Sequence, residues 1–114
     1  MGWMADETGL GKRTANFVPL TPLSHLRRAV RIFSDRTAWI YGARKVDYAT
    51  YYGRCTQLAS ALQKIGILPG DVVATLLPNT PAQVEACFGV PAAGAVLNTI
   101  NTRLDADTIA YIFD

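Results

Sequence analysis

The stretch Val72-Val73-Ala74-Thr75-Leu76-Leu77-Pro78-Asn79-Thr80-Pro81-Ala82-Gln83 decides the fold, together with Ala95-Val96-Leu97-Asn98-Thr99-Ile100 downstream. Residues 72–77 form a nearly continuous apolar run, the pattern of a strand buried on both faces, as in parallel sheets. Pro78-Asn79 breaks it. Thr80 is a good N-cap, and Pro81 fits the first helical position because its missing N–H would be unsatisfied there anyway. Gln83 stands where a capping box needs it. Val84, Cys87, Phe88 and Val90 supply apolar helix faces, and Pro91 should kink or end the helix near its last turn. Residues 95–100 read as a second buried strand. Strand, capped helix and strand within thirty residues make a βαβ unit, with parallel strands and a right-handed crossover.

Working outward, Thr21-Pro22 starts an earlier helix, with Leu23, Leu26, Val30 and Phe33 on one face and Arg27, Arg28 and Arg31 on the other. Ser34-Asp35 ends it. Thr37–Tyr41 is rich in β-formers, Gly42-Ala43-Arg44 is a turn, and residues 45–48 return as the second strand of a hairpin. Cys55, Leu58, Leu62 and Ile65 mark a further helix, closed by Lys64 in its last turn and Gly66 in the left-handed position. Pro69-Gly70-Asp71 is turn chemistry. Beyond the second buried strand, Asp105 caps a last helix with Ile109, Ile112 and Phe113 as its apolar stripe. That stripe is still being built at Asp114, which leads us to expect a continuation of the chain.

The 114 residues suffice for one domain, and half of them are apolar against 18% charged, so the chain is not a disordered tail. No apolar run is long enough to span a membrane, and residues 1–17 lack the apolar core of a secretory signal. Residues 1–18 mix Gly, Thr, Asp, Glu and Lys without periodicity and read as a flexible lead-in. Cys55 and Cys87, 32 positions apart, read as reduced thiols of a cytoplasmic protein. Net charge is +2, too mild to argue for nucleic acid. The charge is uneven: residues 1–64 carry +6 and residues 65–114 carry −4. The basic half reads as a solvated helix face and a hairpin tip, with an anionic partner as the sharper alternative.

Most chemical candidates fail on residue type. Gly9-Leu10-Gly11-Lys12 lacks the earlier Gly of a phosphate loop, since that position is Asp6, and Arg13 stands where Ser or Thr is needed. His25, the only histidine, has no carboxylate one helical turn away and reads as a surface imidazole. Cys55 and Cys87 lack metal-ligand spacing and sit on apolar helix faces, where inert core cysteines belong. Asp105 and Asp107 read as cap and dipole partners. Catalytic and metal residues are therefore expected to be none. Two positions survive. The turn Leu77–Pro81 joins a strand's carboxyl end to a helix N-terminus, the ligand-facing edge of an open α/β sheet. Its alternative is plain capping. Arg103 lies in the loop after the next strand, on the same edge, where a guanidinium can fork onto a phosphate. Its alternative is a salt bridge to Asp105 or Asp107.

Taken together, Val46–Ala49, Leu58–Leu62, Gly66–Ala74, Leu77–Pro81 and Gly94–Leu104 resemble, in order and spacing, the opening region of an AMP-forming acyl-CoA synthetase of the adenylate-forming superfamily. The resemblance runs from about Phe17 to Asp114. It implies an α/β fold, the N-terminal part of the family's large domain: a leading helix, a β-hairpin and a parallel βαβ unit. Residues 19–114 would be a partial AMP-dependent synthetase/ligase domain that stops before the phosphate loop. It implies a two-step reaction in which a carboxylate attacks the α-phosphate of ATP, releasing pyrophosphate, and the CoA thiol then displaces AMP. The full-length partners would be a small carboxylic acid, ATP and CoA, with Mg2+ offsetting phosphate charge. The family's phosphate loop, its adenine-, ribose- and acyl-binding segments and its catalytic lysine match nothing in this sequence. Arg103 alone matches a position with a ligand role, a contact to a CoA phosphate. The chain by itself would then be an inactive piece of a ligase, prone to self-association. The competing class is a non-enzymatic interaction module on the same scaffold; a free-standing nucleotide-binding domain is disfavoured because no Gly-rich phosphate loop is present.

Overall fold

A computed structural model describes residue 9 and residues 11–114. The lead-in expected at residues 1–18 falls partly outside them. Within it, Arg13–Phe17 forms a turn in which the Phe17 N–H donates to the Arg13 carbonyl at 2.8 Å.

The element order matches the reading: α1 (Pro22–Phe33), β1 (Thr37–Tyr41), β2 (Arg44–Asp47), α2 (Tyr48–Lys64), β3 (Val72–Thr75), α3 (Pro81–Ala92), β4 (Val96–Thr99) and α4 (Ala106–Phe113). β1 and β2 pair antiparallel, and β3 and β4 pair parallel with Val72 opposite Val96 and Thr75 opposite Thr99. The hairpin turns through Gly42 at φ +57°, the left-handed start a type II′ turn requires. β2 stops one residue earlier than the sequence suggests because Asp47 caps α2. Its carboxylate accepts from the Thr50 N–H at 2.7 Å, so Tyr48 is already helical. β3 stops at Thr75 rather than Leu77. The last ladder bond runs from the Ile100 N–H to the Thr75 carbonyl at 2.9 Å, and beyond it β4 offers no partner.

Two apolar clusters meet where α2 crosses α3. Leu26, Val46, Tyr51 and Cys55 form one, flanked by Trp39 and Phe88. Ala86, Val90 and Ala95 form the other, with Leu58, Leu62, Val73 and Leu97 packed against it. Arg54 on α2 forms a fork onto Glu85 of α3, with its second nitrogen 3.0 Å from Oε2, and that carboxylate holds the guanidinium pKa above its ordinary value. Burial pushes the Cys55 thiol up to about 11, so it stays protonated and inert, as the sequence suggests.

The strands are covered on one face only. Val73 and Leu97 face α3, whereas Val72 and Val96 on the other side are 61% and 55% exposed. The expectation of strands buried on both faces is corrected accordingly: among the described residues one helical layer covers the parallel pair. The α4 stripe is likewise open, with Ile112 and Phe113 exposed.

The α2–α3 crossing depends on Gly89. A β-carbon built there would lie 2.6 Å from Leu58 Cδ2, 2.9 Å from Cγ and 3.0 Å from Cβ, too close for a rotamer change alone to relieve. Gly89→Ala should therefore destabilise the chain by about 1–3 kcal/mol, overriding the gain in helix propensity. Urea unfolding checks this, and a stabilised Gly89→Ala would show that the helices are not in close contact there.

Candidate functional site

The two positions that survived sequence reasoning come together. Leu77, Pro78 and Asn79 from the β3–α3 loop, Gln83 and Cys87 from α3, and Thr99 to Arg103 from the end of β4 line one cleft of about 630 Å3. It opens at the carboxyl edge of the parallel pair, where open α/β sheets take ligands.

Each wall has a local cause. Thr80 occupies the N-cap of α3, but its side chain makes no cap bond. The Val84 N–H donates to the Thr80 carbonyl at 3.2 Å, closing the first turn of the helix. Gln83 does not close the expected capping box. Its Oε1 instead accepts from the Thr75 hydroxyl at 3.0 Å, tying α3 to the last residue of β3. Cys87, expected in the core, is exposed and lines the cleft, 4.0 Å from Gln83 Nε2. Helical periodicity placed it on an apolar face without telling which of two faces turns inward. Leaving the strand, Asn101 Oδ1 accepts from the Arg103 N–H at 3.0 Å, a turn that presents Arg103 to solvent.

The salt bridge proposed as the alternative for Arg103 does not form. Among the described residues Arg54–Glu85 is the ion pair present. Asp105 is committed to capping α4, accepting from the Thr108 N–H at 3.0 Å and its hydroxyl at 2.7 Å. Those bonds hold the Asp105 carboxyl below its ordinary pKa, and the Thr50 bonds do the same for Asp47. A lowered folded-state pKa means that the cap stabilises above the unfolded value, about 3.9, and is lost as pH falls through the folded one. Acidification below about pH 4 should thus fray α4 and the first turn of α2. Helical circular dichroism against pH should show the loss in wild type and a flattened profile in Asp47→Ala/Asp105→Ala. Identical acid profiles would remove the caps from the account.

The cleft lining offers one guanidinium, of Arg103, and the side-chain amides of Asn79, Gln83 and Asn101 as donors. This set fits an anionic oxygen-rich group and supplies no general base. His25 is exposed on α1, away from the cleft lining. No cluster of three metal-ligating side chains occurs among the described residues. Of the Gly9–Lys12 segment, Leu10 lies outside the described residues, and Lys12 sits 4.6 Å over the Phe17 ring.

A leading helix, an antiparallel hairpin and a parallel βαβ unit match the opening part of an adenylate-forming α/β domain. The family model for AMP-binding enzymes matches residues 26–114, and the chain belongs to that family. It is 52% identical over 103 residues to the peroxisomal trans-cinnamate:CoA ligase of Petunia hybrida, covering 90% of this chain and 18% of the relative. It is 51% identical over 98 residues to the peroxisomal benzoate–CoA ligase of Arabidopsis thaliana, covering 86% of this chain and 17% of that protein. A crystal structure from Rhodopseudomonas palustris CGA009, assigned to the long-chain-fatty-acid CoA ligases, superposes with a TM-score of 0.79 at 35% identity, covering 82% of this chain and 24% of that one. The chain thus spans under a fifth of the length of the curated relatives it matches.

Proposed function

We propose that this chain is the N-terminal segment of a carboxylic acid–CoA ligase, which forms an acyl-adenylate from ATP and then the CoA thioester. The observation that carries the reading is the convergence of Leu77–Asn79 and Arg103 on one cleft, in a chain half identical to CoA ligases. In this reading Arg103 pairs with a phosphate of CoA during thioester formation, and the cleft positions it. Positioning is what these residues can supply; the groups that activate ATP belong to other segments of the ligase.

The 114-residue chain alone should therefore release no pyrophosphate above a boiled control. The full-length protein, given ATP, Mg2+, CoA and a panel including cinnamate, benzoate and fatty acids, should release pyrophosphate and form a thioester only when acid is present. A folded full-length protein that gives neither pyrophosphate nor thioester with any acid would favour the non-enzymatic module. Turnover by the 114-residue chain would contradict the division of labour.

The compartment is a separate proposal. Unpaired Cys55 and Cys87 support a reducing compartment, which favours the cytoplasm. The names of the cinnamate and benzoate ligases support the peroxisome instead. Imaging of the tagged full-length protein decides between diffuse and punctate distributions. No helix among the described residues is long and apolar enough to cross a membrane.

A further inference from the structure

α1 carries its charge on one side. Arg27, Arg28 and Arg31 fall within a sector of about 100° of the helix and are all exposed, while Leu26 on the far side is buried in the core. The helix holds no acidic residue; the next in sequence is Asp35, past the C-cap at Ser34. Among the described residues none of the three arginines is in an ion pair. They line a surface groove of about 480 Å3 together with Val18, Ser24 and Ile32. Val18 is 79% exposed and Ile32 55%.

Unpaired cations alone would read as a solvated face, and apolar side chains alone as a surface awaiting cover. Side by side in one groove, they match a surface that is anionic at its headgroups and hydrocarbon just beneath. Arginine stems lie along apolar material while their guanidinium groups reach phosphates. An acidic peptide would satisfy the arginines and leave Val18 and Ile32 wet. We propose that the basic face of α1 docks the chain on an anionic lipid surface, with Arg27, Arg28 and Arg31 at the headgroups and Val18 and Ile32 inserted beneath them. This goes beyond the ligase reading and does not depend on it.

Each arginine near such a surface contributes about fivefold to partitioning, so the three together contribute about a hundredfold. The test is co-sedimentation of the 114-residue chain with vesicles of two parts phosphatidylcholine to one part phosphatidylserine, and with pure phosphatidylcholine. Binding is expected on the first only, falling steeply with added salt. Arg27→Gln/Arg28→Gln/Arg31→Gln should lose about a hundredfold. The corresponding triple lysine variant should retain most of the binding. Val18→Ser/Ile32→Ser should bind more weakly with the salt dependence intact. Equal binding to both vesicles would assign the attachment to the open sheet face and overturn the proposal. So would an unchanged glutamine variant, or a chain that binds polyglutamate and no vesicle. Helical circular dichroism confirms that each variant is folded.

Discussion

Tyr51→Ala should cost about 3–5 kcal/mol of stability, the largest loss expected from any single truncation in this chain. Tyr51 is 5% exposed, in the first turns of α2. Its ring stands edge-on to Trp39 from the hairpin at 6.3 Å and to Phe88 from α3 at 5.8 Å. Such T-shaped pairs contribute beyond the area they bury. Its hydroxyl donates to the Val84 carbonyl at 2.8 Å, and burial drives its pKa upward, so the phenol stays a donor across the working range. One side chain thus joins three elements from separate parts of the sequence. A small domain is stable by about 5–15 kcal/mol, so the loss would leave it close to unfolded. Tyr51→Phe keeps the ring and removes only the hydroxyl bond, and should cost about 0.5–1.5 kcal/mol. Urea midpoints of the two variants give the ratio. A Phe variant as damaged as the Ala variant would show that the hydroxyl, not the aromatic junction, holds the elements together.

The local signals were readable because they are chemical. Thr21-Pro22 and Thr80-Pro81 start helices where expected, and Gly42, Gly66, Gly70 and Gly94 all take positive φ. The parallel pair followed from two apolar runs on either side of a capped segment. Arg103 could be singled out because it is the one cation after residue 64. What the sequence concealed depends on distance in space. Gly89 looks like an ordinary helix glycine until Leu58, thirty-one residues earlier, is found against it. The Arg54–Glu85 fork and the Tyr51 junction have the same origin. Cys87 and Gln83 misled for a different reason. α3 packs on both α2 and the sheet, so its apolar residues do not form a single stripe, and periodicity alone cannot separate core from cleft. The open face of the strands was invisible too, because an apolar run shows what a strand can bury, not what covers it.

The second large effect concerns Arg103 in the full-length protein, on the proposal that it is a ligase. Arg103 is exposed, lines the cleft and makes no ion pair with Asp105 or Asp107, while the Asn101 turn fixes its backbone. A cation so placed is available to a ligand phosphate rather than committed to bracing α4. If that phosphate belongs to CoA, the contact exists only while CoA is bound. Arg103→Ala should then raise the KM for CoA without slowing adenylate formation. Loss of one charge-assisted phosphate contact amounts to about 1.5–3 kcal/mol, roughly ten- to a hundredfold in affinity. Arg103→Lys should recover part of it, since a lysine keeps the charge and loses the fork. The most direct measurement is therefore a pair of assays on one folded variant: acid-dependent ATP–pyrophosphate exchange, which reports the first half-reaction, and CoA-dependent thioester formation, which reports the second. The account predicts unchanged exchange with a ten- to hundredfold higher KM for CoA. An unchanged CoA KM, or both half-reactions falling together with thermal stability, would contradict it.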